Sequence, residues 1–463
     1  MSHLIVLKQV TQAIEDYLLH LPKRGVGKHH TPQELKKILE FTLPNVRQDS
    51  TAMMADVTSY LDHAVATLHP TFMNQLFAGS RPWAMAGEML AAVTNSTMAT
   101  FEASPLATLM ERTLIAHWAQ MIGWTEHDGI MVTGGSNANL VALLMARNRA
   151  HPEIRLEGAT QKKLTAFVSE EAHYSFEKAF NIMGLGSKNL ISVNSDEEGR
   201  MIPQALSDAI HASRARQETP FFIGATAGTT VLGAFDPIAA LAKIARQDNI
   251  WLHVDGAWGG SALISPKHRA LLAGLELVDS FGVDTHKMLA TRLVSSFFLT
   301  RHPHALRQSH AGGGGDYIFH PSEAGASDLG PSSLQCGRKV DALKVWLAWR
   351  SLGDQGMAAL VDQLFANAQA ASKLIQENSA FKLVHDPVFL NVCFKVKSLS
   401  DTAGHRLIRE NLMREGKAMV NIATRRKETF IRLIVAHPEQ DSEVLKTFLT
   451  DVLASSQNIT KTD

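Results

Sequence analysis

The spacing of apolar and polar residues changes character along this 463-residue chain. Near the start, Val10, Ile14, Tyr17 and Leu18 repeat on one face of an amphipathic helix, interrupted by Glu15 and Asp16. Helical spacing continues to about residue 80, broken by the polar stretch Arg24–Thr31. From about 90 to 300, helical patterns alternate with short apolar runs such as Leu164–Val168, Phe221–Ala225, Ile250–Val254 and Ser295–Leu299. That alternation predicts an α/β domain on a largely parallel sheet, with ligands at the carboxyl ends of the strands. Ala311–Leu334 breaks the pattern with Gly312–Gly315, Pro321, Gly325, Gly330 and Pro331, and reads either as a functional loop or as an inert excursion. Val340–Leu352 then predicts a helix leading into a region with strands near Phe389–Val396 and Phe430–Val435. The expected division is a helical segment over 1–90, a large domain over 91–345 and a small α+β domain over 346–463.

Composition narrows the function classes. Lys+Arg and Asp+Glu both total 45, so no net basic field exists to hold nucleic acid or an anionic membrane surface. Small-molecule chemistry suits that balance. No apolar stretch is long enough for a transmembrane helix, and no secretory leader pattern is visible. Two cysteines, Cys336 and Cys393, lack metal-ligand spacing, so free thiols in the cytoplasm are expected and no metal site is.

The chemistry concentrates between Ile250 and Leu289. The apolar run Ile250–Val254 ends in Asp255, followed by Gly256-Ala257-Trp258-Gly259-Gly260. A carboxylate at the end of a buried strand needs a positive partner. By itself it reads most simply as the cap of the next helix. Thirty-two residues on, Val278–Val283 leads into Asp284-Thr285-His286-Lys287. A lysine just past a strand is usually solvated, but a desolvated one forms imines with aldehydes. Together Asp255 and Lys287 offer a partner for a pyridinium nitrogen and an amine for an aldehyde, the two handles pyridoxal phosphate requires. Gly134-Gly135-Ser136-Asn137, between a strand end at Thr133 and the helical Leu140, Val141, Leu144 and Met145, could cradle its phosphate, with Ser136 able to cap. Glycine-serine helix starts are common, however. His173 and the Thr226–Thr230 segment each follow an apolar run, and each alone is an ordinary turn or a satisfied polar group.

With these residues assembled, the chain resembles the group II pyridoxal-phosphate decarboxylases, whose members act on glutamate, cysteine sulfinate, diaminobutyrate or aromatic amino acids. The motifs are His69–Leu76, Gly134–Ser136, Thr226–Thr230, His253–Asp255, His286-Lys287 and Leu334–Arg338. The resemblance implies an aspartate-aminotransferase-like (fold type I) α/β fold and a homodimer with sites at the subunit interface. It implies that Lys287 carries the cofactor as a Schiff base, Asp255 pairs with the ring nitrogen, His173 stacks on the ring and Ala257 packs on its other face. Thr230 is then expected at the phenolic oxygen, and Gly135, Ser136 and His286 at the phosphate. Arg432 matches the arginine that grips the substrate α-carboxylate, and Gln75 the glutamine that helps recognise a distal acid. An acidic L-amino acid is therefore the expected substrate. Ala99 and Glu102-Ala-Ser-Pro105 keep 2,4-diaminobutyrate as the alternative, and transamination on the same fold as the rival reaction. Family members place a proton-donating tyrosine in the long loop, yet Tyr317 is the last of only four tyrosines and lies upstream of that position. His173, His320 or a water is left to supply the proton.

Overall fold

The computed structural model describes residues 3–158, 163–310, 315, 317–320, 327–399 and 402–460. They divide into two compact units, Ser80–Phe365 and the pair of segments Met1–Gly79 with Ala366–Asp463. The division expected from the sequence, at 90 and 345, therefore differs, because the first 79 residues group with the end of the chain. Sequential reading cannot see that pairing, since its partners are nearly 300 residues apart.

The N-terminal segment is helical as expected: α1 is His3–Arg24, α2 is Pro32–Ile38 and α3 is Ser50–His63. Thr31 and Glu34 cap α2 reciprocally, each side chain holding the other's backbone amide, and Asp49 caps α3 through the Ala52 amide. None of the three helices buries a residue. A two-residue strand, β1 (Phe72–Met73), follows.

The larger unit begins with α4 (Pro82–Thr94) and α5 (Pro105–Ile122), each with proline in its first turn, where its missing amide costs nothing. Its sheet is built from β2 (Asp128–Val132), β3 (Leu164–Ser169), β4 (Leu190–Val193), β5 (Thr219–Thr226), β6 (Trp251–Gly256), β7 (Ser280–Asp284) and β8 (Ser296–Thr300). The order is β2-β8-β7-β6-β5-β3-β4, and β8 alone runs antiparallel to its neighbours. β3, β6, β7 and β8 are buried throughout, which explains why they read as unbroken apolar runs rather than alternating ones. Helix α6 (Gly135–Ala150) leaves the end of β2 and packs on β5, β6, β7 and β8. The helix expected from Val340 runs from Ala342 to Glu377, broken at Gly353, where φ is 63° and ψ 177°.

The smaller unit is completed by β9 (Phe381–Leu383), β10 (Asn391–Val396), β11 (Met419–Arg425) and β12 (Glu428–Ile434). With β1 they form a five-stranded sheet in the order β1-β11-β12-β10-β9. The N-terminal segment thus supplies an edge strand, parallel to β11. Of the long loop, Ala311–Gly314, Asp316 and Pro321–Ala326 lie outside the described residues, and so does the beginning, Glu323–Ala326, of the stretch Glu323–Ser333 where the loop tyrosine is expected. Tyr317 is 79% exposed.

Candidate active site

Three strand ends meet in register at one edge of the larger sheet. Thr226, the last residue of β5, pairs with Asp255 on β6, and Asp255 with Gly282 on β7. Asp284, ending β7, pairs with Ser296, which in turn pairs with Val132 at the end of β2. The start of α6 therefore lies over the same edge. Gly134 has φ +105°, a region side chains avoid, and a Cβ on Gly135 would stand 2.7 Å from the Ala257 Cβ and 3.2 Å from Asp284 Oδ2. Glycine is required at both positions for the helix to sit this close. No side chain caps α6; Gly134 holds the cap position and Ser136 is exposed in the first turn, contrary to the capping role expected of its hydroxyl. The amide-rich, positive helix end is left for an anion.

Lys287 Nζ lies 3.1 Å from Asp284 Oδ2, and His286 Nε2 lies 3.8 Å from the same oxygen. Burial alone would raise the Asp284 pKa, but the Lys287 and His286 charges hold it below the usual carboxylate range. His286 Nδ1 is set against the backbone of Ser295, and burial keeps its pKa below that of a free imidazole. Lys287 itself stays partly open, with 22% of its side chain exposed.

The Asp255 carboxylate, buried, accepts from the Ala257 amide at 3.0 Å and from Asn139 Nδ2 at 2.7 Å. The same Asn139 amide donates to Ser175 Oγ at 2.9 Å, and Ser175 reaches His173 Nδ1 at 2.8 Å. His173 also accepts the Ser175 amide at Nδ1, so its ring proton belongs on Nε2. Burial pushes its pKa down, with Asp255 and Asp284 pulling up and Lys287 down, which places all four groups in one electrostatic neighbourhood. Thr226 Oγ1, beside Asp255 in the sheet, is buried with no hydrogen-bond partner among the described residues. Thr230 follows in a tight loop in which the Gly228 and Thr229 amides donate to the Ala234 carbonyl.

Gln75 and Arg432 belong to the smaller unit. Arg432, on the central strand β12, is buried, and its Nη2 donates at 2.8 Å to the carbonyl of Asn74, the neighbour of exposed Gln75. Burial lowers the Arg432 pKa. Two residues escaped the sequence reading. Asn139 sits on the inner face of α6, two residues past the Ser136-Asn137 pair, and Asp284 was read only as part of the approach to Lys287. The signal for each is a polar residue set in an otherwise apolar helix face or strand end.

These groups suit a phosphate-bearing aromatic aldehyde: an open helix end, a close glycine approach, a buried carboxylate and a lysine beside a counter-ion. Residues 32–397 match the model of the pyridoxal-dependent decarboxylase conserved domain. The chain belongs to that family. Human cysteine sulfinic acid decarboxylase is 36% identical over 423 residues, spanning 88% of this chain and 86% of the human protein. The acidic amino acid decarboxylase GADL1 of Mus musculus is 33% identical over 440 residues, spanning 91% and 80%. The crystal structure of mouse CSAD superimposes with a TM-score of 0.94 at 33% identity, covering 98% of both chains. This decarboxylase thus has the fold type I architecture, requires pyridoxal phosphate and is a carboxy-lyase acting on an amino acid. Among the described residues no helix is long and apolar enough to cross a membrane, and no group of metal-ligating side chains occurs.

Proposed function

We propose that the substrate is an acidic L-amino acid, cysteine sulfinate, aspartate or glutamate, and that Lys287 is the residue joined to the cofactor. The observation that carries the substrate reading is the similarity, over about nine-tenths of the chain, to decarboxylases named for acidic amino acids. Bound at this edge, pyridoxal phosphate supplies an aldehyde for the lysine amine and a conjugated ring that accepts the electrons left when carbon dioxide departs. Asp255 would hold the proton on the ring nitrogen, while Gly135, Ser136 and His286 would hold the phosphate at the start of α6. Ala257 and His173 would pack against the two ring faces, and Thr230 would meet the phenolic oxygen. His173, in its protonated form, would supply the proton to the α-carbon in place of a loop tyrosine. Arg432 and Gln75 remain the proposed substrate-carboxylate residues, supported by the planar guanidinium on a central strand.

A homodimer accompanies this reading. α1 leaves Leu4 and Leu19 at 70% and 75% exposure, and α4 leaves Trp83 and Val93 at 56% and 69%. Apolar faces of that extent suit a second copy of the chain. The free thiols of Cys336 and Cys393 accord with a cytoplasmic enzyme. The test is carbon dioxide release from carboxyl-labelled cysteine sulfinate, aspartate, glutamate and 2,4-diaminobutyrate. Preference for one of the first three is expected. Selective release from diaminobutyrate would reassign the substrate, and keto-acid formation without carbon dioxide would reassign the reaction.

A further inference from the structure

We propose that Asn139 and His253 are positioning residues for the reaction, fixing Asp255 and His173 together from behind the site. The inference rests on the roles given above to those two groups. Behind Asp255 runs an unbroken line of buried side chains whose donors and acceptors admit a single arrangement. A carboxylate only accepts, so Asn139 must turn its amide nitrogen to Asp255, as the 2.7 Å contact requires. The Asn139 Oδ1 then faces His253 Nε2 at 3.0 Å, and that nitrogen must carry the ring proton. His253 Nδ1 is left as an acceptor and meets the Ser280 hydroxyl at 2.9 Å. Ser280 Oγ in turn accepts the indole N–H of Trp251 at 2.8 Å.

The arrangement is locked by its surroundings. His253 is fully buried, with the Phe222 and Phe298 rings stacked against it at 6.1 and 6.2 Å between centroids. Burial brings its pKa down to about 4, so it stays neutral and keeps its tautomer at physiological pH. Asn139 spends its second N–H on Ser175, which orients His173. One amide therefore sets both groups, and a shift of one is passed to the other. An apolar pair would have filled the same space more cheaply, since each buried polar group needs a matching partner. The line ends at buried Asp255 and half-buried His173, the two groups given roles in the reaction.

The test compares Asn139→Ala, His253→Gln and the double variant in cofactor-loaded full-length enzyme. Asn139→Ala removes a hydrogen bond to a charged group, so kcat should fall roughly ten- to hundredfold with KM within about twofold. The visible circular dichroism of the bound cofactor should weaken, because the ring nitrogen loses its fixed partner, and the cofactor should bind more loosely. His253→Gln should show the same signature at smaller size and serves if Asn139→Ala does not fold. The double variant should be no worse than Asn139→Ala, since His253 acts through Asn139. Wild-type kcat and dichroism in both single variants, losses confined to KM, or losses that multiply in the double variant would each overturn the proposal. Were the wild-type protein to release no carbon dioxide from any amino acid, the functional reading would fail, while the dichroism and cofactor affinity would still decide this one.

Discussion

Strand β7 has a buried aspartate at each end, and the two are held in opposite ways. Asp279, just before the strand, has both oxygens engaged: Oδ1 accepts from His302 at 2.8 Å and lies 3.3 and 3.5 Å from Arg149 and Arg301, while Oδ2 accepts the Leu252 amide at 2.9 Å. Burial would raise its pKa, but the His302 hydrogen bond, the Leu252 amide and Arg301 keep it low. Asp284, at the other end, has its ionic partners Lys287 and His286 on a single oxygen, and Lys287 is partly open to solvent. The same residue type on one strand thus ties the sheet together at its amino end and holds the Lys287 ammonium at its carboxyl end. A buried carboxylate engaged at both oxygens by side chains and backbone reads as structural, whereas one that holds a lysine through a single oxygen at the edge where the strand ends converge reads as part of a site.

The contrast is broken most decisively at the carboxyl edge. Asp255→Ala should cut turnover by about three powers of ten, roughly 4 kcal/mol of barrier, with cofactor still bound by absorbance. Near-normal turnover would give the ring nitrogen another partner. Asp284→Asn keeps the volume but removes the counter-ion of Lys287. We expect turnover to change by about tenfold and the acid limb of its pH profile to move by about one unit, read from kcat against pH. Asp279→Asn should leave kcat unchanged and instead lower the melting temperature by several degrees, because it leaves Arg149 and Arg301 short of a partner at a cost of about 2 kcal/mol. A variant of Asp279 that loses turnover before stability would erase the distinction between the two ends.

The smallest effect concerns acid stability. His253 has a folded pKa of about 4 against an ordinary 6.5, so between those values the unfolded chain binds a proton that the folded chain refuses. Stability is then complete above 6.5 and falls as pH drops toward 4, by up to about 1.4 kcal/mol per pH unit from this one group. Urea unfolding at pH 7 and pH 5 should show a shallower loss in His253→Gln than in the wild type. Equal losses would mean that His253 is already protonated in the folded state.

Much of this was legible in the sequence, for physical reasons. Leu164–Val168, Phe221–Ala225, Ile250–Val254 and Ser295–Leu299 all became strands because a sheet covered on both faces demands unbroken apolar runs. Gly134-Gly135 could be placed at a helix start because no other residue tolerates that approach. The reversal of β8 was not legible, since an antiparallel central strand has the same composition as its parallel neighbours. Nor was the pairing of β1 with β11, which joins residues about 350 apart in the chain. Asn139 was hidden for another reason. It is a single polar residue on a helix, and its meaning lies in Asp255, more than 100 residues away.

The central claim is that covalent chemistry occurs at Lys287, and one measurement addresses it directly. Borohydride reduction of the cofactor-loaded enzyme, followed by digestion and mass spectrometry, should place the phosphopyridoxyl group on the peptide containing Lys287 and on no other. Finding it on another lysine, such as the buried Lys344, or finding no stable attachment, would contradict the account.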